Sequence, residues 1–267
     1  MYPNPWGLCE SPFRVSLDAR FFFQSPIHEE ALARLHFLVE QRRRLGVLLG
    51  PAGSGKSLVL ECFAAQLRRQ GAAVARTDLD GVDLEDMLAA VGVGWELNPD
   101  GGARSHVLWR LVEDRIKQFR YEQRATVLLV DDAHCGEKAT TAALMRLAES
   151  DLSPDSRLTI VLAARSESIA LLDPRFLELA ELRIDLEPWD QSDTAAYLAA
   201  SLAAVGRGEP LFDGAAATRL HELAGGVPRR VSLLADLALL AAAGENRETI
   251  DAHIVESAYR GLGLVEV

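Results

Sequence analysis

Gly-Pro-Ala-Gly-Ser-Gly-Lys-Ser, at residues 50–57, is the most informative segment of this 267-residue chain. It matches the phosphate-binding loop pattern G-x-x-x-x-G-K-[ST], the Walker A motif, at every fixed position. An apolar run at residues 45–49 precedes it and good helix formers at residues 57–69 follow it, which is the strand–loop–helix context of this motif. A glycine-rich turn with a chance Lys-Ser is the alternative, and it leaves that context unexplained. The segment therefore predicts a binding site for a nucleoside triphosphate.

The residue types in this loop suit contact with phosphates. Gly50, Gly53 and Gly55 let backbone N–H groups converge on phosphate oxygens where a Cβ would block the approach. The helix that follows points its positive end at the same place. We expect Lys56 to contact the β- and γ-phosphates and the Ser57 hydroxyl to bind Mg²⁺. The predicted nucleotide-binding set of the loop is Gly50, Pro51, Ala52, Gly53, Ser54, Gly55, Lys56, Ser57 and Leu58.

Composition is that of a globular protein and weighs against several classes. With 49% hydrophobic and 25% charged residues, the chain can bury one large core or two unequal ones. The net charge of -11 argues against a basic surface built for nucleic acid, although it leaves room for a local basic strip. Three scattered cysteines without C-x-x-C spacing indicate neither a disulfide framework nor a zinc site. We find no apolar run long enough to span a membrane and no secretory signal, so we expect a cytoplasmic protein.

Strands alternate with helices over roughly the first two-thirds of the chain. A segment rich in proline and aromatic residues comes first, and a helix at 26–44 ends on three arginines, as a solvated helix end or a nucleic-acid contact. Apolar strands are predicted at 45–49, 72–77, 126–130, 158–164 and 182–186, with helices at 57–69, 83–91, 105–121 and 139–149. This alternation predicts an α/β fold with a doubly wound, parallel, five-stranded sheet, the fold of P-loop NTPases.

The pattern changes at Trp189, beyond which only helices are predicted. They are rich in alanine and leucine and cover residues 193–205, 213–223, 231–243 and 251–262. We therefore expect two domains. Residues 1–188 form an N-terminal segment plus the α/β ATPase domain, and residues 189–267 form a smaller, all-helical lid.

A second motif ends in two carboxylates. The apolar strand Val127–Val130 runs directly into Asp131 and Asp132, which is the Walker B arrangement. Because the carboxyl end of this strand lies beside the phosphate loop in a parallel sheet, Asp131 can reach Mg²⁺ through water and Asp132 can orient and deprotonate the attacking water. Asp is shorter than the more usual Glu by about 1.5 Å, so we expect slow hydrolysis. Two acids that merely start a loop are the alternative, and His134 is a further polar candidate.

Four arginines are candidates for the remaining roles. Arg165 follows the fourth strand, where it or the adjacent serine can sense the nucleotide. Arg175 and Arg183 have no evident partner in the sequence and are candidate arginine fingers across a subunit boundary, with surface ion pairs as the alternative. In Gly-Gly-Val-Pro-Arg-Arg at 225–230, a turn between helices explains the glycines and Pro228. It does not explain Arg229, because a cation is ill placed at a helix N-terminus.

With these motifs the chain resembles the AAA+ ATPases, and within them the ExeA or GspA group associated with general secretion. The residues that carry the resemblance are Trp6-Gly7-Leu8, Pro12-Phe13, Asp18-x-Arg20-Phe21 and Ser25-Pro26-x-His28-x-x-Ala31-Leu32 at the front, and Gly225-Gly226-Val227-Pro228-Arg229 at the back. The loop and the strand-end carboxylates predict ATP and Mg²⁺ as ligands, and the two unpartnered arginines, Arg175 and Arg183, predict a homo-oligomer that forms on ATP binding. The resemblance implies that the last segment is the second sensor, in which Pro228 and Arg229 bind nucleotide and Arg229 contacts the γ-phosphate.

The sequence departs from this group in two motifs. The group's Walker B usually ends in Asp-Glu, whereas this chain has Asp131-Asp132, and the position after the fourth strand is usually Gln, whereas here it is Arg165. Secretion members commonly continue into a membrane span and a peptidoglycan-binding part, which are not found in these 267 residues.

Three functions therefore remain open. The first is a secretion-type ATPase with an envelope partner. The second is an ATP-dependent, DNA-binding transposition regulator of the MuB or TniB type, which shares the same core and which the acidic charge disfavours. The third is a nucleotide-gated scaffold that barely hydrolyses ATP.

Overall fold

The computed structural model describes residues 6–8, 10–13, 22–99, 102–151, 153 and 155–262. The chain forms two compact units. Among the described residues, one unit comprises those within His28–Ala52 and Lys56–Leu186, and the other comprises those up to Ile27, the short stretch Gly53–Gly55 and those from Glu187 onward. Three residues of the proposed N-terminal motif, Asp18, Arg20 and Phe21, lie outside the described residues.

The first of these units is built from alternating strands and helices, which confirms the predicted fold class. In chain order the elements are α1 (Pro26–Glu40), β1 (Leu45–Gly50), α2 (Lys56–Arg69), β2 (Ala73–Asp78), α3 (Leu84–Gly94), α4 (Ser105–Tyr121), β3 (Thr126–Asp131), α5 (Lys138–Ser150), β4 (Leu158–Arg165), α6 (Pro174–Leu179) and β5 (Leu182–Asp185). Short 3₁₀ helices at Ala133–Cys135 and Ser166–Leu171 follow β3 and β4. Neither 3₁₀ helix nor α6 was among the predicted elements.

The five strands are parallel and their order across the sheet is β2-β3-β4-β1-β5. All residues of β1 and β3 are buried, as expected for strands covered on both faces. β4 lies between β1 and β3. The strand that ends in Asp131, β3, is therefore not paired with β1, the strand that leads into the phosphate loop. The carboxyl ends of all the strands nevertheless meet at one edge of the sheet, which is where parallel α/β proteins bind ligands.

Helix α3 packs unusually close to β2. The last residue of this helix is Gly94, and a Cβ at that position would lie 2.6 Å from the Cα of Ala75. Trp95, which follows at once, is fully buried and its indole N–H donates to the Val127 carbonyl of β3 at 3.2 Å. A glycine is therefore required where the helix backbone meets the strand backbone.

Helix α1 ends at Glu40 instead of continuing to Arg44 as predicted. Arg42 has a left-handed backbone with a φ of +52°, and the N–H groups of Arg42 and Arg43 donate back to the carbonyls of Val39 and Leu38. This is a Schellman ending, which usually has glycine at the left-handed position, so a helix stop signal was absent from the sequence there. Arg43, one of the three arginines at 42–44, forms an ion pair with Glu181 at 3.1 Å.

The other unit contains four helices within its described residues: α7 (Gln191–Ala204), α8 (Gly214–Ala224), α9 (Pro228–Gly244) and α10 (Ala252–Gly261). The aspartates that precede α7, α8 and α10 each accept a backbone N–H three residues on, which is the N-capping contact. These helices share one hydrophobic core of buried side chains. None of the helices in the described part of the chain is both long and apolar enough to cross a membrane.

The described N-terminal residues belong to the core of the helical unit. Leu8 and Phe13 are buried in it, and the Phe13 ring lies 6.0 Å from the ring of Tyr197 on α7. Phe23 packs edge-on against Trp189 with centroids 5.5 Å apart. This grouping differs from the expected division, which joined the N-terminal segment to the α/β domain, because the anchoring rings find their aromatic partners on the helical unit.

Candidate nucleotide-binding site

The phosphate loop connects β1 to α2, and its backbone has the conformation that the motif requires. Gly53 and Gly55 have φ values of +86° and +97°, in the left-handed region that favours glycine. Helix α2 starts at Lys56, so the first N–H groups of this helix, which lack partners within the helix, face the loop. The ammonium of Lys56 donates to the carbonyls of Gly50 at 2.8 Å and Pro51 at 3.0 Å.

Lys56 is buried, with 7% of its surface exposed, and it lies among carboxylates. Burial lowers the pKa of its ammonium from the usual value, whereas the negative charges of Asp131, Asp132 and Glu167 act in the opposite direction. Asp131 ends β3, Asp132 follows it at once and Glu167 follows β4, so these charges lie at the ends of two other strands. The structure thus brings the Walker A lysine and the Walker B carboxylates to the same end of the sheet.

Asp131 is held by a cation that the motifs did not reveal. One oxygen of its carboxylate, Oδ2, lies 3.0 Å from Arg76 Nη2, and the other accepts the N–H of Asp132 at 3.1 Å. Arg76 lies on β2, and its Nη1 lies 2.8 Å from the carboxylate of Glu61 on α2. Arg76 therefore bridges two carboxylates from different elements. The sequence did carry one signal, since an arginine that follows three apolar residues within a strand needs a charged partner when it is buried.

Asp132 lies just past β3 in a left-handed turn, with φ +43° and ψ +42°. Aspartate tolerates this conformation better than most residues. Its Oδ1 is 3.9 Å from both Arg165 Nε and His134 Nδ1, so the carboxylate faces two potential cations. Burial, followed by the charges of Asp131 and Asp78, raises the pKa of Asp132, and His134 and Arg165 oppose this increase.

Arg165 is the last residue of β4 and is paired in register with Gly50, the first residue of the phosphate loop. The 3₁₀ helix that follows begins at Ser166 and places Glu167 against the loop. Glu167 Oε1 accepts the backbone N–H of Ala52 at 3.2 Å. This carboxylate was not among the predicted site residues. No sequence motif marks it, because the contact depends on β4 being the neighbour of β1.

The two candidate arginine fingers both have partners within the chain. Arg175 forms two hydrogen bonds with Asp173, of which the shorter is 2.8 Å. Arg183 pairs in the same way with Asp185, with a shortest distance of 2.8 Å. The expectation that they lack partners is therefore wrong. Asp173 caps α6 and Asp185 lies on the same face of β5 two residues on, and in both cases the partner is local.

Arg229 is the second residue of α9, which begins with Pro228. Its backbone N–H donates to the carbonyl of Gly53, which belongs to the same compact unit, at 3.2 Å. A Cβ at Gly53 would lie 2.9 Å from the Cβ of Arg229, so glycine is needed at this contact as well as for its φ value. The Arg229 side chain is exposed.

The residues present fit a magnesium–nucleotide complex better than a free metal ion. Nowhere in the described ranges do three His, Cys, Asp or Glu side chains converge as a metal cluster would require. Mg²⁺ in nucleotide sites takes one or two protein oxygens and completes its shell with phosphates and water. The buried carboxylate of Asp131 and the half-buried hydroxyl of Ser57, at the start of α2, match that limited ligand set.

Comparison with protein families gives a match to the AAA domain over residues 39–172, which is half of the chain. The chain belongs to the AAA domain family. It is also similar to general secretion pathway protein A of Aeromonas hydrophila, at 29% identity over 269 residues, which confirms the resemblance to that group. The alignment covers 99% of this chain and 49% of the relative, so the chain spans about half the length of the curated relative.

Among solved structures, this AAA chain is similar to Cdc6p of Pyrobaculum aerophilum, with a TM-score of 0.70, 16% identity and coverage of 91% of this chain and 71% of the other. It is similar to the Aeropyrum pernix ORC1 protein, solved in complex with DNA, with a TM-score of 0.66, 18% identity and coverage of 91% and 67%. It is also similar to the RuvB Holliday junction branch migration motor of Thermotoga maritima, with a TM-score of 0.62, 19% identity and coverage of 96% of this chain and 74% of the other. At these identities the likeness shows the fold alone.

Proposed function

We propose that this chain binds ATP with Mg²⁺ and hydrolyses it slowly. One observation carries the proposal: the Lys56 ammonium is buried against the carbonyls of Gly50 and Pro51 in the phosphate loop, and the charge of Asp131 at the end of β3 acts on it. An anionic phosphate chain supplies what that arrangement lacks, since it can accept from Lys56 and from the free N–H groups at the start of α2. Mg²⁺, when bound, would neutralise charge on the β- and γ-phosphate oxygens.

In the proposed reaction each residue has one role. Ser57 and Asp131 would hold Mg²⁺, and Lys56 would contact the phosphates. Asp132 accepts a proton from the attacking water, the water oxygen bonds to the γ-phosphorus, and the bond to the β-phosphate oxygen breaks to leave ADP and phosphate. Arg165 and Arg229 are proposed to contact the γ-phosphate, and Arg229 would pass its presence to the helical unit.

Replacement of Lys56 tests nucleotide binding. Lys56→Ala should abolish binding of a non-hydrolysable ATP analogue, measured by calorimetry with Mg²⁺ present, because the phosphates lose their one buried cation in the loop. Lys117→Ala is the matched control, since that lysine is exposed on α4 and pairs with Asp114. Unchanged affinity in Lys56→Ala would remove the assignment of the loop.

Replacement of Asp132 tests hydrolysis separately from binding. Asp132→Asn should keep the affinity for the ATP analogue and lower the rate of phosphate release by about 10²- to 10⁴-fold, the usual contribution of a general base. A variant rate equal to that of the unmodified chain would show that another group is the base. No phosphate release by the unmodified chain, with ATP still bound, would favour the nucleotide-gated scaffold.

The DNA-binding regulator stays a second candidate because one similar fold, the Aeropyrum pernix ORC1 protein, was solved with DNA. The net charge of -11 weighs against it. ATP-dependent retention of duplex DNA that weakens steeply between about 50 and 200 mM salt would favour this candidate. No retention at low salt would rule it out, and the similarity to a general secretion protein then favours an envelope partner.

We also propose that copies of this chain assemble into a homo-oligomer when ATP binds. The proposed location is the cytoplasm. The ion pairs of Arg175 and Arg183 are on the surface, with more than half of each arginine side chain exposed. Such an arginine can leave its partner for a nucleotide in a second subunit at little cost, because exposed ion pairs contribute little to stability. Sedimentation with a non-hydrolysable ATP analogue should show a species larger than the monomer, and a purely monomeric profile would contradict assembly.

A further inference from the structure

The phosphate loop is in contact with an acidic side chain of its own protein. Glu167 Oε1 accepts the N–H of Ala52, the third residue of the loop, at 3.2 Å. The contact joins the ends of two neighbouring strands, because Arg165 at the end of β4 is in register with Gly50 at the end of β1. Both Glu167 and Ala52 are exposed, so a ligand can reach them from solvent.

The charges around Glu167 are those that a phosphate would meet. Hydrogen bonds from the backbone, its own N–H and that of Ala52, lower the pKa of Glu167, and the charges of Lys56 and Arg165 lower it further. The side chain is therefore an anion at neutral pH. An anionic oxygen that accepts a loop N–H and faces the loop lysine resembles a phosphate oxygen in both charge and hydrogen bonding.

We propose that Glu167 is a specificity-determining residue that sets the preference of the site between a nucleoside triphosphate and a nucleoside diphosphate. Its carboxylate takes the Ala52 N–H when no γ-phosphate is bound, and a γ-phosphate near Lys56 must approach this charge or displace it. A diphosphate lacks the group that meets Glu167. The carboxylate thus weakens binding of the triphosphate more than that of the diphosphate. This inference rests on the proposed function, since it requires that the loop bind a nucleotide.

The test is the ratio of two affinities in one variant. Glu167→Gln keeps an oxygen that can accept the Ala52 N–H and removes the negative charge. Dissociation constants for ADP and for a non-hydrolysable ATP analogue are measured with Mg²⁺ by displacement of a fluorescent nucleotide. We expect the ratio of the ADP dissociation constant to that of the ATP analogue to be about fivefold higher in the variant than in the unmodified chain. The effect is this small because interactions between exposed charges are weak. The difference should shrink at 1 M salt, because an exposed repulsion is screened.

Glu181→Gln is a matched control. Glu181 also accepts a backbone N–H distant in sequence, that of Arg44 at 2.8 Å, but it does so at the opposite end of β1. The two variants therefore lose the same charge and keep the same kind of backbone contact. Glu181→Gln should leave the ratio of affinities unchanged, and thermal melts of both variants show whether either contact matters to the fold.

The possible outcomes separate the inference from the function on which it rests. An unchanged ratio in Glu167→Gln, with nucleotide still bound, overturns the specificity role and leaves a contact that only ties two loops together. A normal ratio with lost phosphate release overturns it too, because Glu167 would then act in the reaction. If the unmodified chain binds neither nucleotide, the proposed function fails and this inference fails with it.

Discussion

The ion pair between Arg76 and Asp131 gives the most demanding prediction about stability. The Asp131 side chain is 3% exposed, and Arg76 is the one cation in the described residues whose ion pair reaches it. Arg76→Met removes the guanidinium and keeps most of the side-chain volume. The remaining contact to the carboxylate is the neighbouring N–H of Asp132 at 3.1 Å, which cannot neutralise a full charge.

The expected cost follows from the burial of each partner. Loss of one member of a buried ion pair destabilises a protein by about 3–5 kcal/mol, because the other charge stays buried and unpaired. Glu61, the second partner of Arg76, is 36% exposed, so its separate loss should cost less than about 1 kcal/mol. At roughly 2–4 °C for each kcal/mol in a domain of this size, Arg76→Met should lower the melting temperature by about 6–20 °C.

Three variants measured together test this reasoning. Thermal and urea unfolding are followed by circular dichroism for Arg76→Met, for Glu61→Gln and for Arg76→Met combined with Asp131→Asn. The double variant should recover much of the lost stability, because the neutral amide no longer needs a cation. The reasoning is refuted if Arg76→Met and Glu61→Gln have the same melting temperature. It is also refuted if Asp131→Asn lowers the stability of Arg76→Met further instead of restoring it.

Two further predictions concern packing and cysteine chemistry. Gly94→Ala should destabilise the protein by more than about 1 kcal/mol, since the new Cβ would lie 2.6 Å from the Ala75 Cα. Gly92→Ala is the control and should be neutral or stabilising, because the nearest atom to its new Cβ would be 3.7 Å away. Equal urea midpoints for the two variants would contradict this. Burial raises the pKa of the Cys62 thiol to about 11, whereas Cys135 is exposed. Iodoacetamide at pH 8 should therefore label Cys135 before Cys62, which reacts only when the protein opens. Equal labelling of the two cysteines in peptide mass spectra would contradict this.

The sequence was sufficient for those features that a single segment encodes. The loop at Gly50–Ser57 carries its own conformational requirements, and each strand is an apolar run long enough to be recognised alone. Strand ends agreed with the structure to within one or two residues. The end of α1 was missed because Arg42, and not a glycine, adopts the left-handed conformation there, so the local signal was absent.

Contacts that depend on strand order could not be predicted in the same way. Sequence alternation gives parallel strands but not the order β2-β3-β4-β1-β5, and that order decides which strand ends are neighbours. It places the residues after β4 beside the phosphate loop, which brings Glu167 to Ala52. It also places β2 beside β3, which lets Arg76 reach Asp131. Both charges were visible in the sequence, but neither had a partner until the strands were ordered.

The same strand order connects the two departures from the related group. From the sequence, Asp132 in place of the Glu that the resemblance leads us to expect and Arg165 in place of the expected Gln are separate departures, 33 positions apart. In the structure β4 is the neighbour of β3, and Arg165 Nε lies 3.9 Å from Asp132 Oδ1. A shorter acid at the end of one strand therefore faces a longer cation at the end of the next. Because Arg165 opposes the rise in the pKa of Asp132, both residues act on one carboxylate and should be considered together.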